Sequence, residues 1–199
     1  VVILPGWPGS FKNFDGEWEI DPIKGTYNNL LEELQLAGYE KDVSLFTFPY
    51  DWKQDANLNA NDLGQKIPEF LGKTVTSGKD YVDTSEVDLV GHSGGGLVSR
   101  AYIQGNNYDF NVHRLITLGT PHRGTPKAYL NAEGLEFDFL DSVDVIGPAL
   151  ARWIILSLAS EDLRYCPLGI VPRCIHRFIE DKVPSVRQAF PTDDYLKDD

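Results

Sequence analysis

One stretch of the chain, Val87 to Arg100, constrains the fold more than any other. It reads V-D-L-V-G-H-S-G-G-G-L-V-S-R and compresses a strand, a sharp turn and a helix into one short run. The strand is predicted from three apolar residues, Val87, Leu89 and Val90. The helix is predicted from apolar residues at helical spacing: Leu97, Val98, Ala101 and Tyr102. A glycine-rich turn must therefore join the two elements.

That turn, which we call the elbow, contains the pattern G-x-S-x-G, from Gly91 to Gly95, with Ser93 at its centre. In this pattern the serine is held on a strained turn between strand and helix, so that its hydroxyl stands clear of the sheet. We expect Gly91 and Gly95 to lie where the two backbones nearly touch, which leaves no room for a side chain. The sequence therefore predicts that Ser93 is a nucleophile. The alternative is a tight turn whose serine does no chemistry.

The consecutive glycines do not predict a phosphate site. Gly91 and Gly96 have the P-loop interval, but Leu97 and Val98 stand where Lys and Ser or Thr would contact phosphate and magnesium. The dinucleotide-binding pattern fails as well, because Ser99 takes the place of its third glycine and no acidic residue ends the next strand. No cofactor is therefore expected.

Charge and composition narrow the function classes. The formal net charge of −12 makes a nucleic-acid partner unexpected, because binding to phosphates needs clustered Lys and Arg. It also argues against simple electrostatic docking on anionic lipid. No metal site is expected, since the spacing of Cys166 and Cys174 fits no zinc pattern. The two cysteines could form a disulfide or remain free thiols.

The first residues predict a buried strand and a functional loop. Val1 to Leu4 is a continuous apolar run, which is typical of a strand in a parallel sheet. The turn P-G-W-P-G-S follows it, and in a serine hydrolase of this architecture such a loop supplies one N–H of the oxyanion hole. Trp7 is the candidate donor, because Pro8 has no N–H. The alternative is an ordinary turn between strand and helix.

The rest of the first half predicts alternating strands and helices. The predicted elements are a helix around Tyr27 to Leu34 with Thr26 as N-cap and Gly38 as stop, a strand from Val43 to Phe48, a helix from Asp55 to Leu71 that Pro68 kinks or ends early, and a strand from Leu115 to Leu118. Residues 11–25 are irregular and receive no assignment. This order specifies an α/β fold with a parallel sheet and helices on both faces.

Asp51 follows the second predicted strand, at the edge of the sheet where active sites of α/β proteins lie. Its carboxylate could line a site, or it could act in a turn or as a helix cap. The residue type favours the capping role.

The alternation stops after residue 127. Residues 1–127 are predicted to form the N-terminal part of an α/β core, and residues 128–199 a mostly helical cap. An apolar segment at residues 149–159 gives the cap more apolar surface than one helix face needs, which favours a lipid or other apolar acyl substrate and interfacial membrane contact through the cap. The alternative is that this excess simply packs on the core. The chain contains no Met and begins directly on an apolar run, so we expect a piece of a longer protein, truncated after residue 199.

Five segments together resemble one family. They are V-I-L-P-G-W-P-G-S, F-P-Y-D-W, L-V-G-H-S-G-G-G-L-V-S-R, L-I-T-L-G-T-P-H-R-G-T-P and P-S-V-R-Q-A-F-P. Their order and spacing are similar to the lecithin:cholesterol acyltransferase-like branch of the α/β-hydrolase lipases. The resemblance implies an α/β-hydrolase fold, Ser93 as nucleophile, and Trp7 and Gly94 as oxyanion donors. It also shows departures: Gly94 stands where lipases often carry Met, and Lys53 where the group usually has Arg.

A catalytic acid and a histidine are not identified. In the α/β-hydrolase order they follow strands that come after the cap, and no such strands are predicted here. His92 lies inside the elbow, His113 precedes the fourth strand, His122 directly follows it, and His176 lies in the cap. His92 and His122 are therefore only possible site-lining residues. We expect residues 1–199 alone to hydrolyse esters at near-background rates. A non-catalytic scaffold or binding domain would share the same core.

Overall fold

The computed structural model describes residues 1–22, 24–78, 84–126, 128 and 181–191. The chain forms two compact units, Val1–His122 and Arg123–Asp199. Most residues of the second unit lie outside the described ranges, among them Cys166, Cys174, His176 and the apolar segment at 149–159. The division into core and cap at residue 127, and the helical character of the cap, therefore stay predictions.

The first unit is built on a four-stranded parallel sheet. Its strands are β1 (Val2–Leu4), β4 (Phe46–Thr47), β5 (Val87–His92) and β6 (Val112–Leu118), in the order β4-β1-β5-β6. β1 lies between β4 and β5, where Val2 is level with both Phe46 and Leu89. The first strand of the chain is therefore central. All three pairings are parallel, which confirms the predicted sheet.

Helices cover both faces of this sheet. The first, α1 (Asn28–Leu36), packs on the face where Ile3 and Leu45 are buried. The other two, α2 (Ala56–Thr76) and α3 (Gly94–Gln104), pack on the opposite face against Val2, Leu4 and Leu89. Neighbouring residues of β1 point to opposite faces, so its unbroken apolar run serves both cores. The prediction of helices on both faces is confirmed.

The irregular segment left unassigned from sequence contains a small hairpin. Its strands β2 (Ser10–Lys12) and β3 (Trp18–Ile20) pair antiparallel. The Asn13 side chain holds the turn, because its carbonyl oxygen accepts hydrogen bonds from the N–H groups of Asp15 and Glu17, each at 3.0 Å. Three-residue strands carry too little hydrophobic alternation to be found from periodicity.

Two predicted element boundaries are wrong. Tyr27, and not Thr26, is the N-cap residue of α1; the N–H of Thr26 instead donates to a carboxylate oxygen of Asp21 at 2.8 Å. The predicted strand from Val43 is also too long, because the N–H groups of residues 43–45 all return to the carbonyl of Glu40 in a turn. Only Phe46 and Thr47 join the sheet. The predicted stop at Gly38 agrees with its left-handed φ of 101°.

Of the two effects predicted for Pro68, a kink or an early end of the helix, the early end is wrong, since α2 continues to Thr76. Proline in a helix interior costs about 3 kcal/mol through one lost hydrogen bond and a steric clash. Ile67 and Phe70, on either side of Pro68, are both buried in the core, and each contributes roughly 1.5–3 kcal/mol by burial. Burial on both sides of the proline therefore outweighs its cost. Asp55 caps the helix, accepting a hydrogen bond from Asn57 N–H at 2.7 Å.

Within the second unit, the described residues bring two of the family-like segments together. A short helix, α4 (Pro184–Gln188), lies in the segment P-S-V-R-Q-A-F-P. The N–H of Thr125 donates to the carbonyl of Ala189 at 2.8 Å. Gly124 has a φ of 86°, which strains any residue with a side chain. It also lies directly against the carbonyl of Phe190, which leaves no space for a Cβ.

Candidate active site

Ser93 lies in the sharp turn between the end of β5 and the start of α3. Its φ of 49° and ψ of −117° fall where a residue with a side chain is strained by about 1–3 kcal/mol. The Ser93 N–H donates to the carbonyl of Leu118 at 2.8 Å, which ties the turn to the end of β6. Although Ser93 is the N-cap residue of α3, its hydroxyl makes no capping hydrogen bond. The hydroxyl is therefore not committed to holding the helix.

The elbow glycines lie where backbone meets backbone. A Cβ on Gly91 would be 2.6 Å from both the N and the Cα of Gly96. A Cβ on Gly95 would be 2.5 Å from the carbonyl oxygen of Leu4 and 2.6 Å from that of Pro5. The surrounding atoms are main chain, so they cannot move aside as a flexible side chain would. Position 96 is glycine for a different reason, because a Cβ there would collide with the side chain of Thr120.

The loop between β1 and β2 runs beside the elbow and is held at both ends. The Tyr50 hydroxyl donates to the carbonyl of Pro5 at 2.8 Å, and the Tyr50 N–H donates to the Ser10 hydroxyl at 3.1 Å. Burial raises the pKa of Tyr50 far above its ordinary value, so this hydroxyl keeps its proton and stays a donor. We refer to Pro5–Ser10 as the oxyanion loop, after the role that the sequence predicts for it. Its two ends are fixed by one tyrosine.

Within the described residues, the main-chain N–H groups of the two candidate oxyanion donors have no hydrogen-bond partner. They belong to Trp7, in the middle of the oxyanion loop, and Gly94, the first residue of α3. The first N–H groups of a helix have no intrahelical acceptor, and they carry the positive end of the helix dipole. Both candidate donors are thus available to an incoming oxygen.

The Trp7 side chain fills the space above Gly94. A Cβ on Gly94 would meet the Trp7 indole nitrogen and would lie 2.5 Å from Cε2 and 2.7 Å from Cδ1 of the ring. The indole N–H is buried and has no partner of good geometry among the described residues. This contact explains why Gly94, where lipases often carry Met, has no side chain in this protein.

The His92 side chain points toward Tyr27. Its Nδ1 lies 2.8 Å from the Tyr27 hydroxyl, and the two rings meet edge to face with centroids 5.8 Å apart. Burial lowers the pKa of His92, because a charged imidazole is poorly solvated there. Tyr27 was predicted from sequence only as an apolar residue of a surface helix. No sequence signal marked its hydroxyl.

The other two candidate site-lining residues are bound elsewhere. Asp51 accepts a hydrogen bond from the N–H of Lys53 at 3.1 Å, so its carboxylate stabilises a turn, and the predicted capping role belongs to Asp55. His122 is exposed, and its ring nitrogens lie 3.4 Å from the Arg100 guanidinium and 3.4 Å from the Thr117 hydroxyl. Within the described residues, neither Asp51 nor His122 forms a hydrogen bond with Ser93.

An acid and a histidine do pair in the described sheet, but they lie at the opposite end of the strands from Ser93. His113 Nδ1 lies 3.1 Å from Asp88 Oδ1, and both side chains are partly exposed. Contrary to expectation, His113 lies inside β6 and not before it. Asp88 precedes Ser93 by five residues of strand, roughly 16 Å along the sheet. This pair cannot reach the Ser93 hydroxyl. The described residues hold no cluster of three metal-ligating side chains.

The fold itself is that of a known class of enzyme. The structure is similar to the crystal structure of the mature form of BlEst2, a lipase of Bacillus licheniformis, with a TM-score of 0.52 over 74% of this chain and 51% of that one. The two sequences are 23% identical, so the likeness concerns the fold. Together with the parallel sheet and the strand-turn-helix at Ser93, it defines an α/β-hydrolase fold.

The sequence comparison is more specific. The family model described as lecithin:cholesterol acyltransferase matches residues 16–140, well over half of the chain. The chain therefore belongs to the lecithin:cholesterol acyltransferase family, which confirms the resemblance stated above. A relative named phospholipase A(1) LCAT3, from Arabidopsis thaliana, is 28% identical over 102 residues.

The alignments cover only part of each relative. This chain spans 22% of the length of the plant phospholipase and 51% of the bacterial lipase. Across the described residues, no helix combines the length and the apolar character that crossing a membrane requires.

Proposed function

We propose that the full-length protein is a serine-dependent lipid ester hydrolase or O-acyltransferase in which Ser93 carries the acyl group. The single observation that supports this most is the backbone of Ser93, which is strained at a positive φ while its hydroxyl makes no capping bond. If this position served only to form a tight turn, glycine would adopt the same backbone angles without strain. Membership in a lipid acyltransferase family supports the lipid substrate.

The proposed reaction proceeds in two steps. The Ser93 hydroxyl oxygen attacks the ester carbonyl carbon while a base takes its proton; the carbon–oxygen bond to the alcohol then breaks, and the alcohol leaves with that proton. Water or an acceptor alcohol next attacks the acyl-serine and releases an acid or a new ester. In each step negative charge develops on the carbonyl oxygen.

The N–H groups of Trp7 and Gly94 are the donors we propose for that oxygen. Both lack a partner among the described residues, and the oxyanion loop lies against the elbow at Gly95. Losing one such donor typically costs about 3–4 kcal/mol of transition-state stabilisation. The base is proposed to come from an acid and a histidine later in the α/β-hydrolase order.

Covalent labelling tests this proposal. A fluorophosphonate probe applied to the full-length protein is expected to modify one residue, and peptide mass mapping is expected to place the label on Ser93. The serine oxygen attacks phosphorus and displaces fluoride, and the phosphonyl-serine that forms resembles the tetrahedral intermediate of ester hydrolysis. Modification of a different residue, or no modification in folded protein, favours the alternative, a non-catalytic scaffold that kept the elbow as a turn.

The acyl chain preference tests the substrate class. We expect kcat/KM for p-nitrophenyl esters to rise from acetate to long acyl chains by at least about tenfold, because each buried methylene contributes roughly 0.8 kcal/mol. Part of this expectation rests on the apolar segment at residues 149–159, which lies outside the described residues. A preference for the acetate ester contradicts the lipid assignment while leaving Ser93 as nucleophile. Adding an acceptor alcohol and measuring the ester formed separates transfer from hydrolysis.

A further inference from the structure

One buried hydroxyl connects three parts of the candidate site. The Tyr27 side chain is 7% exposed, and its oxygen lies 2.7 Å from the main-chain nitrogen of Gly6 and 2.8 Å from Nδ1 of His92. Gly6 belongs to the oxyanion loop, and His92 directly precedes Ser93. Tyr27 itself is the N-cap residue of α1. The hydroxyl therefore bridges the loop and the elbow from a third element.

The chemistry of the donors favours one placement of the protons in this bridge. The Gly6 N–H can only donate, so the tyrosine oxygen accepts from it. The tyrosine proton is then free to donate to Nδ1 of His92, which leaves the imidazole proton on Nε2. Burial raises the pKa of Tyr27 and lowers the pKa of His92, and both shifts favour this neutral arrangement.

A hydrogen-bonded turn at residues 21–26 positions Tyr27 at this site. The buried carboxylate of Asp21 accepts hydrogen bonds from the N–H groups of Lys24 at 3.1 Å and Thr26 at 2.8 Å. The Asp21 N–H donates in turn to the carbonyl of Gly9, at the far side of the oxyanion loop. The loop and the turn before α1 thus hold each other at two points.

There is little free space between the loop and the elbow. A Cβ on Gly6 would lie 2.9 Å from His92 Nδ1 and 2.9 Å from Ser93 Cβ. Glycine has permissive backbone angles, so the peptide that follows Gly6 can rotate unless the residue is anchored. The N–H of that peptide is the one carried by Trp7. Anchoring the Gly6 N–H fixes the peptide plane that precedes Gly6, and the crowding at Gly6 then restricts the φ and ψ values that set the direction of the Trp7 N–H.

We propose that Tyr27 is a positioning residue whose hydroxyl, shared between Gly6 and His92, sets the direction of the Trp7 N–H relative to Ser93. The role rests on the function proposed above, since it presumes that Trp7 is an oxyanion donor. The bridge itself is a hydrogen-bonding arrangement that can be measured without any substrate.

The first experiment observes the bridge directly in the full-length protein. Long-range proton–nitrogen correlation spectra of ¹⁵N-histidine-labelled protein are expected to show His92 with its proton on Nε2 and a hydrogen-bonded Nδ1. The His92→Gln variant assigns the signal by its loss. In Tyr27→Phe the Nδ1 shift is expected to move and a second tautomer to appear, because the ring remains while the donor is gone.

The second experiment measures catalysis. Tyr27→Phe is expected to lower kcat by roughly 10- to 100-fold with KM changed less than about threefold, because outer hydrogen-bond partners of catalytic groups have effects of this order and oxyanion donors act in the transition state. Tyr102→Phe is the matched control. Its side chain is also buried, and its hydroxyl donates to Asn111 at 2.8 Å on the other face of the sheet. It is expected to lose comparable stability and to retain kcat.

Two outcomes overturn the positioning role. One is an unchanged His92 tautomer and Nδ1 shift in Tyr27→Phe. The other is an equal loss of kcat in Tyr27→Phe and Tyr102→Phe, which marks the tyrosine as merely structural. Failure of the proposed function looks different: the wild-type protein then takes no fluorophosphonate label on Ser93, while the histidine spectra still report whether the bridge forms.

Discussion

Replacing Ser93 with Ala is expected to lower kcat/KM of the full-length protein by roughly 10⁴-fold or more, because the covalent step loses its nucleophile. The residual rate comes from binding and from the oxyanion donors, which the substitution leaves in place. Burst kinetics with an activated long-chain ester, and fluorophosphonate labelling, measure the effect. Alanine also removes no capping bond, since the Ser93 hydroxyl makes none, so the variant is expected to fold.

Ser99 supplies the control for this substitution. It lies in the same helix, is fully buried, and its hydroxyl donates to the carbonyl of Gly95 at 2.9 Å. Ser99→Ala loses one hydrogen bond, which is worth about 1 kcal/mol of stability, but no reacting group. It is expected to keep activity within a few-fold of the wild type. Similar activities for Ser93→Ala and the wild type contradict the acyl-serine mechanism.

Gly91→Ala is expected to reduce the free energy of unfolding by roughly 3 kcal/mol, near the upper end for overpacking. The added methyl would lie 2.6 Å from main-chain atoms of Gly96, so either β5 or α3 must shift. Such a shift also displaces Ser93. Chemical denaturation gives the change in stability, and ester hydrolysis reports the displaced serine.

Gly72→Ala is the matched control, and it is expected to increase the free energy of unfolding. Gly72 lies in the exposed part of α2, and a Cβ there meets nothing within 4 Å. Alanine in a helix interior is more favourable than glycine by roughly 0.5–1 kcal/mol, so this variant is expected to unfold at higher denaturant concentration. If both variants change stability alike, the close approach of the two backbones at Gly91 is not the reason for its glycine.

The sheet and its order of elements could be predicted because they are written in local patterns. β1 is a continuous apolar run, and β5, the elbow and α3 follow one another without a gap in the sequence. The length of α2 could not be predicted, because the contribution of Ile67 and Phe70 depends on a core that forms from distant strands. The turn at residues 43–45 could not be predicted either. Its three N–H groups bond to the carbonyl of Glu40 and not to a neighbouring strand.

The candidate site divides in the same way. Ser93 is marked by a motif, and Trp7 is singled out because the residue after it is proline. Tyr27 is not marked, because its hydroxyl acquires meaning only when residues 21 and 65 positions away, Gly6 and His92, are brought beside it. Within an amphipathic pattern a tyrosine is read as one more apolar residue.

The indole of Trp7 resting on Gly94 makes these two positions interdependent in evolution. A methionine at 94 collides with the ring, and a small residue at 7 alone leaves an unfilled hollow beside the nucleophile, so each single exchange is harmful while the pair can be neutral. A lineage, or a mutant library, that moves between the two arrangements must change both residues together. Surveys of substitutions taken one position at a time are therefore expected to find neither site tolerant, even where a combined exchange is accepted.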